Sequence, residues 1–100
     1  MSLTLCVLLW ALPGAEDSLT AYEDTVLDLI PQHGGEVLQR ARSSGADGQP
    51  LEIQFLQFPS ARALEEYMTD ERRTALAQER DRAVARTQII DVELTGPVST

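Results

Sequence analysis

The chain has 100 residues and a formal net charge of −8, and apart from His33 all of its basic residues are arginines. A chain of this length forms one domain with a modest core, and its acidic balance argues against nucleic acid, whose phosphates attract Lys and Arg, and against an anionic membrane surface. Because the sequence contains no lysine, Schiff-base chemistry and a P-loop are excluded.

The first predicted element is an apolar strand from Leu3 to Leu12. It carries apolar side chains on both faces, which is typical of a central strand covered on two sides. No Lys or Arg precedes the run, so it lacks the positive region of a signal peptide, and it is too short to span a membrane as a helix. We therefore expect the run to belong to the fold, the protein to be cytoplasmic, and Cys6 to be a small buried side chain without a disulfide partner.

A helix follows the turn that Pro13-Gly14 predicts. Apolar side chains recur at helical spacing, at Leu19, Tyr22, Val26, Leu29, Ile30 and His33. Pro31 should kink or end this helix, and Gly34-Gly35 supplies the left-handed exit that a helix end favours.

Two strands come next, separated by a polar loop. Residues 36–43 are the more polar of the two and are predicted at an edge of the sheet, while residues 51–58 are apolar on both faces and are predicted in its centre. Cross-strand ion pairing of Arg40 and Arg42 with Glu52 is expected.

The second half of the chain is predicted to hold two helices and a last strand. Ser60 is a suitable N-cap for the first helix, whose inner face carries Leu64, Tyr67 and Met68. Thr69-Asp70 begins another helix near Glu71. One side of that helix carries Leu76, Ala77, Arg80 and Val84. A strand over residues 87–94 closes the domain, which we place at residues 1–95, with a flexible tail at 96–100.

The resulting order of strand, helix, strand, strand, helix, strand favours an α+β fold, a ferredoxin-like four-stranded antiparallel sheet with helices on one face. The first and third strands are central in that topology, and they are the most apolar strands here. The other face of the sheet, to which we assign Leu56, Phe58 and Trp10, is too apolar to face water. We expect a second copy of the chain to cover this face, with the two sheets packed against each other.

At this level the chain resembles the dimeric α/β-barrel superfamily, and most closely its small bacterial members related to antibiotic-biosynthesis monooxygenases. The resemblance rests on His33-Gly34-Gly35 ahead of residues 37–40, on the exit Gln57-Phe58-Pro59-Ser60 into residues 63–67, and on Thr69-Asp70-Glu71-Arg72. It covers residues 2–95 and implies a homodimer that pairs as an α/β barrel. Relatives of this fold include cofactor-free oxygenases, lactone isomerases, haem-degrading enzymes and proteins of unknown role, so the fold alone does not choose a function.

Three residues are candidates for catalysis. His33 is the only imidazole in the sequence, so it is either a general base, a role that histidine commonly fills, or a helix C-terminal residue that stabilises the helix dipole. Arg80 lies on an inner helix face, where it either holds an anionic ligand or pairs with an acid such as Glu52. Tyr67 would hold an oxygen atom of the substrate. No metal site is expected, since a second His or a Cys pair is missing from the sequence.

Aromatic side chains are the candidates for ligand binding. Trp10, Tyr22 and Phe58 would line a pocket between helices and sheet, or simply belong to the core. The first hypothesis is a homodimer that binds a small hydrophobic or aromatic molecule, as a monooxygenase or isomerase without a cofactor. The alternative is a non-catalytic dimerisation or ligand-sensing module, and the sequence leaves open whether the protein is an enzyme.

Overall fold

A computed structural model describes residues 2–96 of the chain. Its strands and α-helices occur in the order β1 (Leu3–Ala11), α1 (Glu16–Leu27), β2 (Glu36–Arg42), β3 (Glu52–Phe58), α2 (Ala61–Met68), α3 (Glu71–Thr74), α4 (Ala77–Ala83) and β4 (Val84–Asp91). The sheet has the order β2-β3-β1-β4, and every neighbouring pair is antiparallel. The predicted ferredoxin-like fold is confirmed, as are the central positions of β1 and β3 and the edge position of β2.

The connection from α1 to β2 follows the predicted proline and glycine signals. A 3-10 helix spans Ile30–His33 with Pro31 in its first turn, and it ends at Gly34 in the left-handed conformation, φ 75°. Gly35 then packs tightly against β3, because a Cβ atom added there would lie 2.8 Å from Ile30 Cγ2 and 2.9 Å from the Gln57 carbonyl oxygen. Only glycine lets the turn approach the sheet this closely.

Both predicted N-caps of the second half are confirmed. The Ser60 hydroxyl accepts a hydrogen bond from the Ala63 backbone N–H at 3.1 Å. The Asp70 carboxylate accepts one from the Arg72 backbone N–H at 2.8 Å. Each cap satisfies an N–H group that has no partner within its own helix, and so fixes where α2 and α3 begin.

The core lies between the helices and one face of the sheet. Leu56 is 5% exposed and Phe58 is 0% exposed on this inner face, so their predicted assignment to the outward face is wrong. The side chains of Ile53 and Phe55 alternate with them and point away from the helices. Because both faces of β3 carry apolar residues, the sequence pattern could not tell which face meets the helices.

The outward face of the sheet carries an apolar patch at its centre. Directly opposed residues of antiparallel strands share a face, and the register pairs Cys6 with both Phe55 and Ile90, and Leu8 with Ile53. We call these five residues the outer apolar patch: Cys6, Leu8, Ile53, Phe55 and Ile90. Ile90 is 40% exposed, and Cys6 is half-buried rather than buried as expected.

Two strands differ in detail from their predictions. The pairing of β2 with β3 shifts by one residue between Val37 and Gln39, so the regular alternation predicted for β2 is interrupted by a bulge. The last strand spans Val84–Asp91 instead of residues 87–94, since α4 ends at Ala83 and Val84 is already extended. β-Branched residues such as Val84 favour this earlier change from helix to strand.

Within residues 2–96, no helix is both long and apolar enough to cross a membrane. The tail predicted for residues 96–100 lies, except for Gly96, outside the described residues.

Candidate functional site

A cavity of about 180 Å³ lies between the sheet and the helices. Its apolar wall comes mainly from β1, α2 and β3, and its polar lining consists of Glu23, Gln54, Tyr67, Arg73, Arg80 and Thr87. Ile89, which also lines it, is 48% exposed, so the cavity opens to solvent along β4. An engineered apolar cavity of about 150 Å³ holds benzene, so this space suits a single six-membered ring with small substituents.

Arg73 and Tyr67 form one wall of the cavity. The Arg73 guanidinium carbon lies 5.2 Å from the centre of the Tyr67 ring, a cation–π distance. Arg73 Nε is buried and has no hydrogen-bond partner among the described residues. Burial raises the pKa of Tyr67 to about 12, so at neutral pH its hydroxyl is a hydrogen-bond donor and not an anion.

Arg80 enters the cavity from α4. Its Nη2 donates a hydrogen bond to the Thr87 hydroxyl of β4 at 3.2 Å. The ion pair of Arg80 with Glu52 that the sequence left open is not formed, because Glu52 pairs with Arg40 instead. Within residues 2–96, neither Arg73 nor Arg80 forms an ion pair.

A chain of buried polar side chains connects the cavity to the surface at β2. The Gln54 amide nitrogen donates to Glu23 Oε1 and to Glu52 Oε2, both at 2.7 Å. Arg40 donates to the two oxygens of Glu52 at 2.9 and 3.0 Å and also to Asp24 at 2.8 Å. The predicted cross-strand pairing with Glu52 is wrong for Arg42, which instead lies 3.9 Å from Asp17. The predicted pairing of Glu52 with Arg40 is confirmed. It orients Gln54 and, through Gln54, Glu23.

Glu23 is 6% exposed and is the one acid in the described lining of the cavity. Burial raises the pKa of its carboxyl above the ordinary 4.5, the Gln54 hydrogen bond opposes this, and the nearby Glu52 adds to it. The buried carboxyl therefore takes up a proton more readily than an exposed glutamate does.

We expect Glu23→Gln to be more stable than the wild type at neutral pH and equally stable in acid. Because the pKa of Glu23 is higher in the folded than in the unfolded chain, rising pH removes the proton from the unfolded chain first and lowers the free energy of unfolding. Well below pH 4.5, where the carboxyl is protonated in both the folded and the unfolded chain, this effect disappears. Urea denaturation across pH measures it, with the exposed Glu65→Gln as control. Parallel curves for the wild type and Glu23→Gln would contradict the prediction.

His33 lies behind the cavity wall and does not line it. Its Nε2 is 2.8 Å from Asp70 Oδ2, and its ring centre is 6.1 Å from that of Tyr67. Arg72, and then His33, hold the pKa of the Asp70 carboxyl well below its usual range. This pair joins the 3-10 helix to the N-terminus of α3, on the outer side of Tyr67.

The three predicted ligand-binding aromatics do not meet in this cavity. Trp10 lines a separate surface pocket, where its Nε1 donates to the Gly48 carbonyl at 2.8 Å and Arg86 stacks on its ring at 4.4 Å. Tyr22 is buried in the core beneath a groove between α1 and α4. Phe58 is fully buried, 5.5 Å from the Tyr67 ring. Of the six predicted site residues, the structure brings Tyr67 and Arg80 together.

Three residues of the cavity lining, Glu23, Gln54 and Arg73, were not among the predicted site residues. One signal was present in β3, where Glu52 and Gln54 share a strand face with Leu56 and Phe58, so that the inner face begins with polar residues. No group of three His, Cys, Asp or Glu side chains within residues 2–96 is placed to hold a metal ion.

No protein-family model and no curated protein matches the chain. Among solved structures, it is similar to a protein of unknown function from Rhodopseudomonas palustris, with a TM-score of 0.77 and 17% identity over 96% of this chain and 84% of that one. A dimeric protein of unknown function with a ferredoxin-like fold from Bacteroides fragilis has a TM-score of 0.68 and 11% identity, over 93% of this chain and 96% of that one.

A third similar structure is a protein from Bacteroides thetaiotaomicron that carries the provisional name antibiotic biosynthesis monooxygenase. Its TM-score is 0.72 at 12% identity, and the match covers 99% of this chain and 94% of that one. Identities this low establish the fold and not the activity. The chain thus has the ferredoxin-like fold that these proteins share, in agreement with the predicted resemblance to the dimeric α/β-barrel superfamily.

Proposed function

We propose that the chain forms a homodimer through its outer apolar patch and that each protomer binds one small, mainly apolar molecule with an acidic oxygen. The observation that supports the ligand is the pair of arginines Arg73 and Arg80. Both guanidinium groups line a largely apolar cavity, and neither has an ion-pair partner within residues 2–96. A partly buried cation of this kind is stabilised by an anion.

The lining also defines how such a ligand would be held. The Arg73 guanidinium donates one hydrogen bond, from Nη1 to the Met68 carbonyl oxygen at 3.4 Å, and as part of the cavity lining it can also donate to a ligand oxygen. Tyr67 offers a neutral hydroxyl beside it. The cavity is smaller than the roughly 300–1,000 Å³ of common ligand sites, which favours a ligand with one ring over a polycyclic one.

The homodimer is supported by two observations. The outer apolar patch is contiguous across β1, β3 and β4, which is unusual for a surface that faces water. The similar protein from Bacteroides fragilis is described as dimeric. Covering the patch with a second copy would remove it from water at both subunits at once, as a two-fold interface requires.

A second candidate adds catalysis at the same cavity. In an oxygenation without a cofactor, a CH2 group of the substrate becomes C=O, while dioxygen supplies that oxygen atom and leaves its other atom in water. The protein would orient the substrate, and Arg73, Arg80 and Tyr67 would stabilise the anion left when a proton departs. The provisional name of the Bacteroides thetaiotaomicron protein favours this candidate. Conversion of a bound ligand in air distinguishes it from a sensing module, which would return the ligand unchanged.

We expect para-nitrophenol to bind the wild-type protein more tightly than nitrobenzene, which has the same ring but no acidic oxygen. A hydrogen bond to a charged group contributes about 1.5–3 kcal/mol, so the preference should be roughly 10- to 100-fold. Arg80→Met should reduce that preference by about tenfold, a loss of roughly 1.4 kcal/mol, and calorimetric titration measures it.

The matched control is Arg82→Met, which removes an exposed arginine from the same helix, outside the cavity lining. It should keep the wild-type preference. Equal affinity of the wild type for the two probes, or equal losses in the two variants, would refute the ligand site.

A further inference from the structure

Glu52 and Glu23 are both buried and both accept hydrogen bonds from Gln54, but only Glu52 is paired with a cation. Glu52 is held by both oxygens in a pair with Arg40. Glu23 accepts from the Gln54 amide through Oε1, and within residues 2–96 it forms no ion pair. Glu23 therefore lines the cavity as a buried acid without a cation bound to it, a group that can exist with or without its proton.

Charged and titratable groups surround Glu23 on most of the elements packed against it. They are Arg40 on β2, Glu52 on β3, Tyr22 on α1, Tyr67 on α2, Arg73 on α3 and Arg80 on α4. β1 and β4 present side chains that do not titrate, namely Leu5, Val7, Leu9, Thr87 and Ile89. Burial and then Glu52 raise the pKa of Glu23, while Gln54, Arg73 and Arg40 lower it.

We propose that Glu23 is the proton acceptor of the cavity and that the ligand is a single-ring, weakly acidic phenol or enol. The O–H bond of the ligand breaks, its electron pair stays on the ligand oxygen, and the proton moves to the Glu23 carboxylate. Arg73 and Arg80 hold the resulting oxyanion. The inference rests on the proposed ligand site and names its substrate class.

Repulsion between neighbouring negative groups favours a ligand that brings its own proton. The two arginines balance the charges of Glu23 and a ligand anion in total, but an anion bound next to an ionised Glu23 repels that carboxylate directly and favours its protonated form. Transfer of the proton to Glu23 neutralises that carboxylate without exchange with solvent. A carboxylic acid, already ionised in neutral solution, would have to draw that proton from water, so a phenol or enol fits the site better.

The test is the affinity for para-nitrophenol across pH, followed by the visible absorption of its phenolate. Glu23→Gln keeps an oxygen that accepts from Gln54 and imitates the protonated acid. Once pH has removed the protons of both the free probe and Glu23, wild-type binding must take up one proton, so its affinity should fall tenfold per pH unit. The affinity of Glu23→Gln should stay level over the same range.

The outcomes separate the two proposals. A falling affinity in the wild type and a level one in Glu23→Gln support the inference. If the affinity of the wild type and that of Glu23→Gln change with pH in parallel, while binding of the probe still depends on Arg80, Glu23 is not the proton acceptor. The ligand site itself would then stand. Failure of the wild type to bind the probe overturns the ligand site and the inference with it.

A measurement on the wild type alone avoids dependence on how Glu23→Gln folds. Calorimetry at high pH in two buffers of different ionisation enthalpy counts the protons taken up on binding. One proton per bound phenolate is expected, and an uptake of zero overturns the inference.

Discussion

Arg40→Met is expected to lower the free energy of unfolding by about 3 kcal/mol, more than removal of any exposed arginine. The substitution leaves the Glu52 carboxylate, whose side chain is 4% exposed, without the guanidinium that binds both of its oxygens. An uncompensated buried charge is far more costly than a lost surface pair. Urea denaturation near neutral pH, followed by circular dichroism, measures the change.

Arg42→Met is the matched control for this prediction. Arg42 lies on the same strand, its side chain is 47% exposed, and its nearest acid is Asp17 at 3.9 Å. We expect it to change stability by less than about 0.5 kcal/mol. The double variant Arg40→Met with Glu52→Met should recover most of the lost free energy of unfolding, because it removes the buried Glu52 charge together with its partner. Equal effects of Arg40→Met and Arg42→Met would contradict this account of β2.

The polar chain also makes the cavity depend on Arg40. The Gln54 amide nitrogen donates to both Glu52 and Glu23. A change at Glu52 therefore alters the hydrogen bond that Glu23 accepts. Stability and ligand binding are therefore coupled through one side chain, and variants at β2 should shift the pH profile of binding although they do not line the cavity.

The order of elements was predictable because its signals are local. Gly34, Ser60 and Asp70 act within a few residues, and each sets a helix end where the sequence placed it, whereas α1 ends at Leu27, before Pro31. Which face of β3 packs against the helices was not predictable in this way. Period-two alternation places Ile53 with Phe55 and Leu56 with Phe58, but the choice of inner face depends on helices distant in the sequence.

The candidate site was predictable where a regular helix carried it. Tyr67 and Arg80 lie on α2 and α4 at positions that helical spacing turns inward. His33 followed the same spacing, but α1 ends at Leu27 and the 3-10 helix that follows has three residues per turn, which changes the direction of His33. Arg73 lies in the four-residue α3, too short for any periodicity to show that it points inward.

Phe55→Glu is expected to convert the proposed homodimer into a monomer. Phe55 is the aromatic member of the outer apolar patch, directly opposite Cys6, and its side chain points away from the core beneath the helices. Loss of an aromatic anchor commonly costs 2 kcal/mol or more in binding, and an unpaired charge buried in an interface adds several more. Together these should raise the dissociation constant by roughly a thousandfold or more.

Light scattering after size exclusion, over a range of protein concentrations, measures this change. Gln78→Glu introduces the same charge at an exposed position of α4, on the helix side of the molecule, and should leave the dimer intact. Circular dichroism should show that Phe55→Glu keeps its secondary structure, because the substituted side chain is outside the core. A dimer that persists in Phe55→Glu would mean that another surface joins the subunits. That result would not affect the proposed ligand site, because the cavity lies within one protomer.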